Sequence, residues 1–158
     1  MKFLVLLPLF ATLLVSGCGE KATIPGEAPE SLSDADIERI LKEAIERDSI
    51  EEREGLLFHG NKPYSGWVKT MYDSGQVEGL GRLKDGKLGP LTMWYENGQK
   101  RSETTFQDGQ SNVNGPANFW HENGKKQAEE IWEDHELISA KYWNNKGEEV
   151  ETAEETHE

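Results

Sequence analysis

Trp94-Tyr95-Glu96-Asn97-Gly98-Gln99-Lys100, followed by Phe106-Gln107-Asp108-Gly109, is the stretch on which the fold turns. An aromatic pair, an Asn-Gly step and a charged return describe a strand that stops at a tight turn and comes back. Asp108-Gly109 marks a second turn at the far end. The same frame lies on either side: Gly66 and Gly75, Gly89 and Gly98, and Gly115 and Gly124 are each nine residues apart. The frames are offset by 23 and then 26 residues. Met71-Tyr72, Trp94-Tyr95 and Trp120-His121 precede the second glycine of their frame at one fixed distance. Self-similarity of this period signals one small unit stacked in a row.

All six frame glycines are expected at turns. Asn97-Gly98 and Asn123-Gly124 read as two-residue hairpin turns whose residues both tolerate positive φ. Ser74-Gly75 and Lys146-Gly147 fill the same slot, and Asp85-Gly86 and Asp108-Gly109 fill the second one. Each unit is then a strand, a tight turn, a returning strand and a second turn. Three units are complete and a fourth is worn. There Trp132 and Trp143 keep their slots, Ile138 replaces a frame glycine and His135 replaces a second-turn glycine. The expected fold is mostly β, an elongated antiparallel sheet of repeated hairpins over residues 55–147.

Residues 31–54 read differently. Ile37, Ile40, Leu41, Ala44 and Ile45 follow helical spacing and predict one amphipathic helix. Ser33 is its expected N-cap, Asp36 its capping-box acid, and Leu32 and Ile37 its staple pair. A lone helix of this length is marginal in water, so its apolar stripe is expected to pack over the first hairpin and cover an end of the array.

The N-terminal stretch reads as a targeting segment. Lys2 and the apolar run Phe3 to Val15 describe a signal peptide over residues 1–17, too short to span a bilayer. Val15-Ser16-Gly17-Cys18 resembles a bacterial lipobox, and Cys18 is the only cysteine of the chain. That resemblance implies cleavage before Cys18, lipidation of its thiol and a membrane anchor of several acyl chains. Gly19, where an aspartate would retain an enteric-type lipoprotein at the inner membrane, favours the outer membrane in a host that has one. Residues 18–30, with Pro25 and Pro29, read as the lipidated N-terminus and a flexible tether.

Charge divides along the same boundaries. Of the formal net charge of −13, residues 19–54 carry five basic and twelve acidic side chains, and residues 55–147 carry eleven and twelve. Residues 148–158 carry six glutamates and no lysine or arginine, which predicts an acidic, disordered tail.

The Trp94–Lys100 and Phe106–Gly109 segments resemble the bacterial MORN-repeat variant, and Asn61-Lys62-Pro63-Tyr64-Ser65-Gly66 resembles the opening of such arrays. The resemblance covers residues 56–147. It implies a sheet of successive hairpins. Proteins of this type are often labelled YwqK-family antitoxins of toxin–antitoxin systems, and MORN repeats elsewhere are linked to protein binding, scaffolding and phospholipid binding. Fold alone does not assign function.

Trp67, Tyr72, Trp94, Tyr95, Trp120 and Trp143 are the candidate partner-binding side chains, since Trp and Tyr are typical interface anchors. Their competing role is core. Lys100-Arg101 and Lys125-Lys126 each follow a turn and are read as equivalent basic pairs along one margin of the sheet. His59, His121, His135 and His157 show no metal-ligand spacing. No phosphate loop or nucleophile elbow is present in the sequence. The expectation is therefore a protein without enzyme activity, metal or cofactor. It would bind an unidentified protein in the envelope, with an envelope-acting toxin as the alternative partner. Nucleic acid is disfavoured by the acidic flanks. Self-association through open sheet edges is a further expectation.

Overall fold

The computed structural model describes residues 32–106 and 113–157. The expected signal peptide, Cys18, the expected tether and the expected turn at Asp108-Gly109 lie outside the described residues. Ser33 caps the helix α1 (Asp34–Glu43): its hydroxyl accepts from the Asp36 amide at 3.3 Å and donates to the Asp36 carboxylate at 2.6 Å. That hydroxyl and the Arg39 guanidinium at 3.0 Å hold the half-exposed Asp36 carboxyl below its ordinary pKa.

The helix stops well short of residue 54. Ala44 is extended (φ −69, ψ 134), and Ile45 leaves the helical stripe to join a strand. That strand, β1 (Ile45–Glu46), runs parallel to β5 (Gly66–Met71), with Ile45 opposite Val68 and Glu46 opposite Lys69. The Lys69 ammonium takes the Leu41 carbonyl at 3.1 Å, satisfying a helix-end acceptor from across the junction. After a short 3-10 turn, β2 (Glu51–Arg53), β3 (Leu56–His59) and β4 (Lys62–Pro63) form a separate three-stranded sheet. Glu54-Gly55 turns its first hairpin with both φ positive, at 52° and 75°.

The main sheet continues through β6 (Val77–Lys84), β7 (Lys87–Trp94), β8 (Lys100–Phe106), β9 (Val113–Trp120), β10 (Lys126–Glu133), β11 (Glu136–Trp143) and β12 (Glu149–Val150). From β5 onward every neighbour in sequence is an antiparallel neighbour in space. The protein is thus mostly β, one helix followed by a long antiparallel sheet of hairpin strands. Among the described residues no helix is long and apolar enough to cross a membrane.

One turn geometry recurs at one margin of this sheet. The amides of Tyr72, Tyr95, His121 and Asn144 donate to the carbonyls of Gln76, Gln99, Lys125 and Glu148. The amides of Gly75, Gly98, Gly124 and Gly147 return to the carbonyls of those first four residues. These are three-residue loops closed by a left-handed glycine, not two-residue turns. Gly98 has φ 83°, whereas Asn97 is not in the left-handed region. Asn97 works through its amide instead: Oδ1 accepts from the Gln99 N–H at 2.9 Å. Paired positive φ values occur at the opposite margin, at Asp85-Gly86 (51° and 79°) and Asp134-His135 (48° and 73°).

The first glycine of each frame is not a turn residue either. Gly66 opens β5, with the Tyr64 hydroxyl against the position a Cβ would take. Gly89 and Gly115 lie inside β7 and β9, where the strand register slips at β-bulges. Ile138 lies at the corresponding slip in β11, between the pairs Ile131–Ser139 and Trp132–Leu137.

A single sheet must cover at least one face, and here the cover is divided. On one face Ile40 of α1 and Ala44 just after it pack against Leu80 and Trp94, with Leu32, Ile37, Leu41, Trp67 and Val77 around them. On the other, Ile50, Val68 and Leu83 form a second cluster beneath the small sheet, joined by Ile45, Leu57, Tyr64 and Leu88.

The acidic C-terminal segment is ordered through residue 157. Asn144 Oδ1 accepts the Lys146 and Glu148 amides at 3.0 Å, and β12 pairs with Tyr142 and Trp143. The Glu155 carboxylate accepts the Glu151 and Thr152 amides. A 3-10 turn over Glu154–His157 buries Thr156, whose hydroxyl donates to the Ala153 carbonyl at 2.8 Å. Backbone donors captured by side chains fold this segment despite its charge.

Ile40→Ala removes the buried contact that joins α1 to Leu80 and Trp94. It is expected to cost about 2–4 kcal/mol in urea unfolding, by loss of burial and the cavity left behind. A surface control, Lys42→Ala, is expected to change stability by less than about 0.5 kcal/mol.

Candidate interaction face

The six aromatic candidates separate into three pairs. Trp67 and Trp94 lie beneath α1, and Trp94 is only 7% exposed. Strand alternation places them on the helix-facing side, so the core consumes them. Tyr72 and Tyr95 stand at the heads of turns, each reaching the next hairpin. The Tyr72 hydroxyl donates to the Trp94 carbonyl at 2.8 Å, and the Tyr95 hydroxyl to the Trp120 carbonyl at 2.8 Å. His121 makes the third such bond, Nε2 to the Trp143 carbonyl at 2.8 Å, and the carbonyl requires that Nε2 carry the proton. Asn97 and Asn123 add parallel ties, their amides donating to the Glu122 and Asn145 carbonyls at 2.8 Å.

Trp120 and Trp143 remain half-buried on strands that α1 does not touch. Trp120 stands between two ammonium groups, Lys100 at 5.4 Å and Lys126 at 4.7 Å from ring centroids. The register explains this: Trp94 pairs with Lys100, and Trp120 with Lys126, so the four share one face in a row from the helix outward. A second row runs beside it, Glu103 opposite Asn118 and Asn118 opposite Glu129. Lys100 is ion-paired with Glu103, and Lys126 with Glu129 at 3.0 Å. Lys126 also donates to Asn118 Oδ1 at 3.0 Å.

Equivalence of the basic residues therefore shifts by one position from the sequence reading. Lys100 corresponds to Lys126, not to Lys125. Lys125 corresponds to Gln99, and its ammonium donates to the Lys146 carbonyl at 2.8 Å. Arg101 lies 5.9 Å from the Tyr95 ring centroid. Since both lysines against Trp120 are neutralised by carboxylates on the same face, the row offers aromatic surface and hydrogen bonds more than net charge.

The opposite face carries a feature the frame did not reveal. A cavity of about 220 Å³ is floored by Gly79 and Gly81 and walled by Leu88, Leu91 and Met93, with Arg47 at its margin. The legible signal was Val77-Glu78-Gly79-Leu80-Gly81, a strand whose alternate positions lack side chains on one face. A second hollow of about 200 Å³ lies under the C-terminal segment, between Phe119, Tyr142 and Thr156. Among the described residues no cluster of three His, Cys, Asp or Glu could hold a metal ion.

Comparison with protein-family models, with curated proteins and with solved structures finds no match to this chain.

Burial raises the Tyr95 phenol above its ordinary pKa, opposed by Arg101 and reinforced by Glu122. Tyr142 is raised by burial and by Glu130 beside it. Both phenols are therefore held neutral in the folded chain. Their contribution is complete below the ordinary phenol pKa near 10 and is lost as pH climbs towards the raised values, because the unfolded chain ionises first. The urea midpoint is expected to fall above about pH 10. In Tyr95→Phe/Tyr142→Phe that fall should be shallower, with a stability about 1 kcal/mol lower per lost hydrogen bond at neutral pH.

Proposed function

We propose that this chain is a lipid-anchored, MORN-like hairpin-repeat protein that binds another protein in the cell envelope and catalyses no reaction. The observation that carries the binding reading is the Trp120 row. It is an aromatic side chain flanked by two lysines, with Trp143 beyond it, on a stretch of sheet face that the helix leaves bare. Half-buried tryptophans in a polar surround are common anchors of protein interfaces. Recurrence of one turn bond along the sheet supports the repeat reading, and the lipobox at Cys18 supports the anchor.

A second reading is a neutraliser of an envelope-acting toxin. The acidic segments that flank the nearly neutral sheet favour it, since they would steer a basic partner towards the molecule. A neighbouring gene for an exported toxic protein would separate this reading from a general scaffold.

Metabolic labelling with palmitate should mark the wild-type chain and leave Cys18→Ser unlabelled; equal labelling of the two removes the anchor. Crosslinking in living cells followed by affinity capture should recover one reproducible partner. That partner should be lost in Trp120→Ala/Trp143→Ala while the thermal unfolding curve stays cooperative. Retention of the partner by this variant places the interface elsewhere.

A further inference from the structure

The two long margins of the main sheet are finished differently. On the β5 side, β1 occupies the edge at Val68 and Lys69, and Lys69 is tied to Leu41 and to Glu46 at 3.4 Å. On the β11 side, only Tyr142 and Trp143 have outer partners among the described residues, Val150 and Glu149. Residues Glu136 to Lys141 present an unpaired backbone edge, a template for another strand. The apolar surface gathers there as well. Of the four large hydrophobic residues that are exposed among the described residues, Ile131 (42%), Leu137 (42%) and Ile138 (56%) belong to the β10–β11 hairpin.

Charges and bulges on an edge normally discourage pairing, and this edge has both. Their arrangement is nevertheless self-complementary. Lys141 pairs with Glu129 and Glu136 with Glu133, and those two glutamates share a face of β10. The bulge at Ile138 therefore brings Glu136 and Lys141, at an odd separation, onto one face. Leu137 and Ala140 share the other, opposite Trp132 and Glu130. No regular strand could do this, since residues an odd number apart point to opposite faces.

We propose that β11 is the surface through which two copies of this chain pair, edge to edge and antiparallel about a two-fold axis. Glu136 of each copy lies opposite Lys141 of the other, Leu137 opposite Ala140, and Ile138 opposite Ser139. The pairing ends where β12 begins, so β12 keeps its place. The same two charges that repel an arbitrary strand select a second copy. Each copy uses the same strand edge, so the contact is isologous, and the assembly closes at two copies and does not grow into a filament.

Sedimentation equilibrium of the full chain in density-matched detergent tests this. The wild type should be dimeric. Glu136→Lys sets lysine against Lys141 twice, and Lys141→Glu sets glutamate against Glu136 twice; each should raise the dimer dissociation constant at least about tenfold. Glu136→Lys/Lys141→Glu restores both pairs with reversed sign and should restore the dimer. Circular dichroism melts check that all three variants fold. A monomeric wild type, single variants that dimerise like wild type, or a double variant no better than the singles each overturns the proposal.

Discussion

Side chains at the heads of three successive turns on one margin, Tyr72, Tyr95 and His121, reach the main chain of the next hairpin, 22 or 25 residues further on. The sheet depends on these bonds because most of it has no continuous second layer to keep neighbouring turns together. They also satisfy carbonyls of Trp94, Trp120 and Trp143 at strand ends, where the ladder no longer supplies a donor. The side chain must be long enough to cross and must carry a donor at its tip. Tyr72, Tyr95 and His121 meet both conditions. Asn144 does not reach, and among the described residues no further hairpin pairs beyond it. Its side-chain oxygen turns back instead to accept the Lys146 and Glu148 N–H groups, ending the series.

With the turns tied, the faces can be used unequally. The helix buries Trp67, Leu80 and Trp94 on one face of the first strands, and the small sheet buries Val68 and Leu83 on the other. Neither cover extends to Trp120. Tryptophans at the ends of β7 and β9 thus differ in role along the sheet, from core at Trp94 to a half-buried surface residue at Trp120. Their neighbours change to match. Where Trp94 meets Ile40 and Ala44, Trp120 meets the ammonium groups of Lys100 and Lys126 with their paired carboxylates.

Sequence pattern made much of this legible and misplaced the rest for identifiable reasons. The helix start was readable because Ser33 and Asp36 act locally. Its end was not, because Ile45 continues the helical stripe and only tertiary pairing with Val68 draws it into a strand. Asn97-Gly98 marked the turn correctly but suggested the wrong loop, since an Asn side chain that accepts a backbone amide looks in sequence like an Asn with positive φ. Gly89 and Gly115 shared a spacing with turn glycines while lying at bulges, a distinction that only the register exposes. Among the aromatics, identity gave no means of telling Trp94 from Trp120, because the difference between them is how far α1 extends.

The C-terminal segment shows why charge alone misjudged order. Its glutamates suggested a chain too acidic to fold, yet the acids supply hydrogen-bond acceptors and the ordering follows from where the donors are. Glu155 gathers two amides, Asn144 gathers two more, and Thr156 is sealed against the sheet at 2% exposure. A sheet held turn to turn needs such closure at both ends. At the N-terminal end a helix and a small sheet provide it for the two faces, and a parallel strand for the edge at Val68 and Lys69. At the C-terminal end the segment closes the last turn and one face. Among the described residues the greater part of the β11 edge stays open, with Ile138 at a register slip of the kind that carries glycine in β7 and β9.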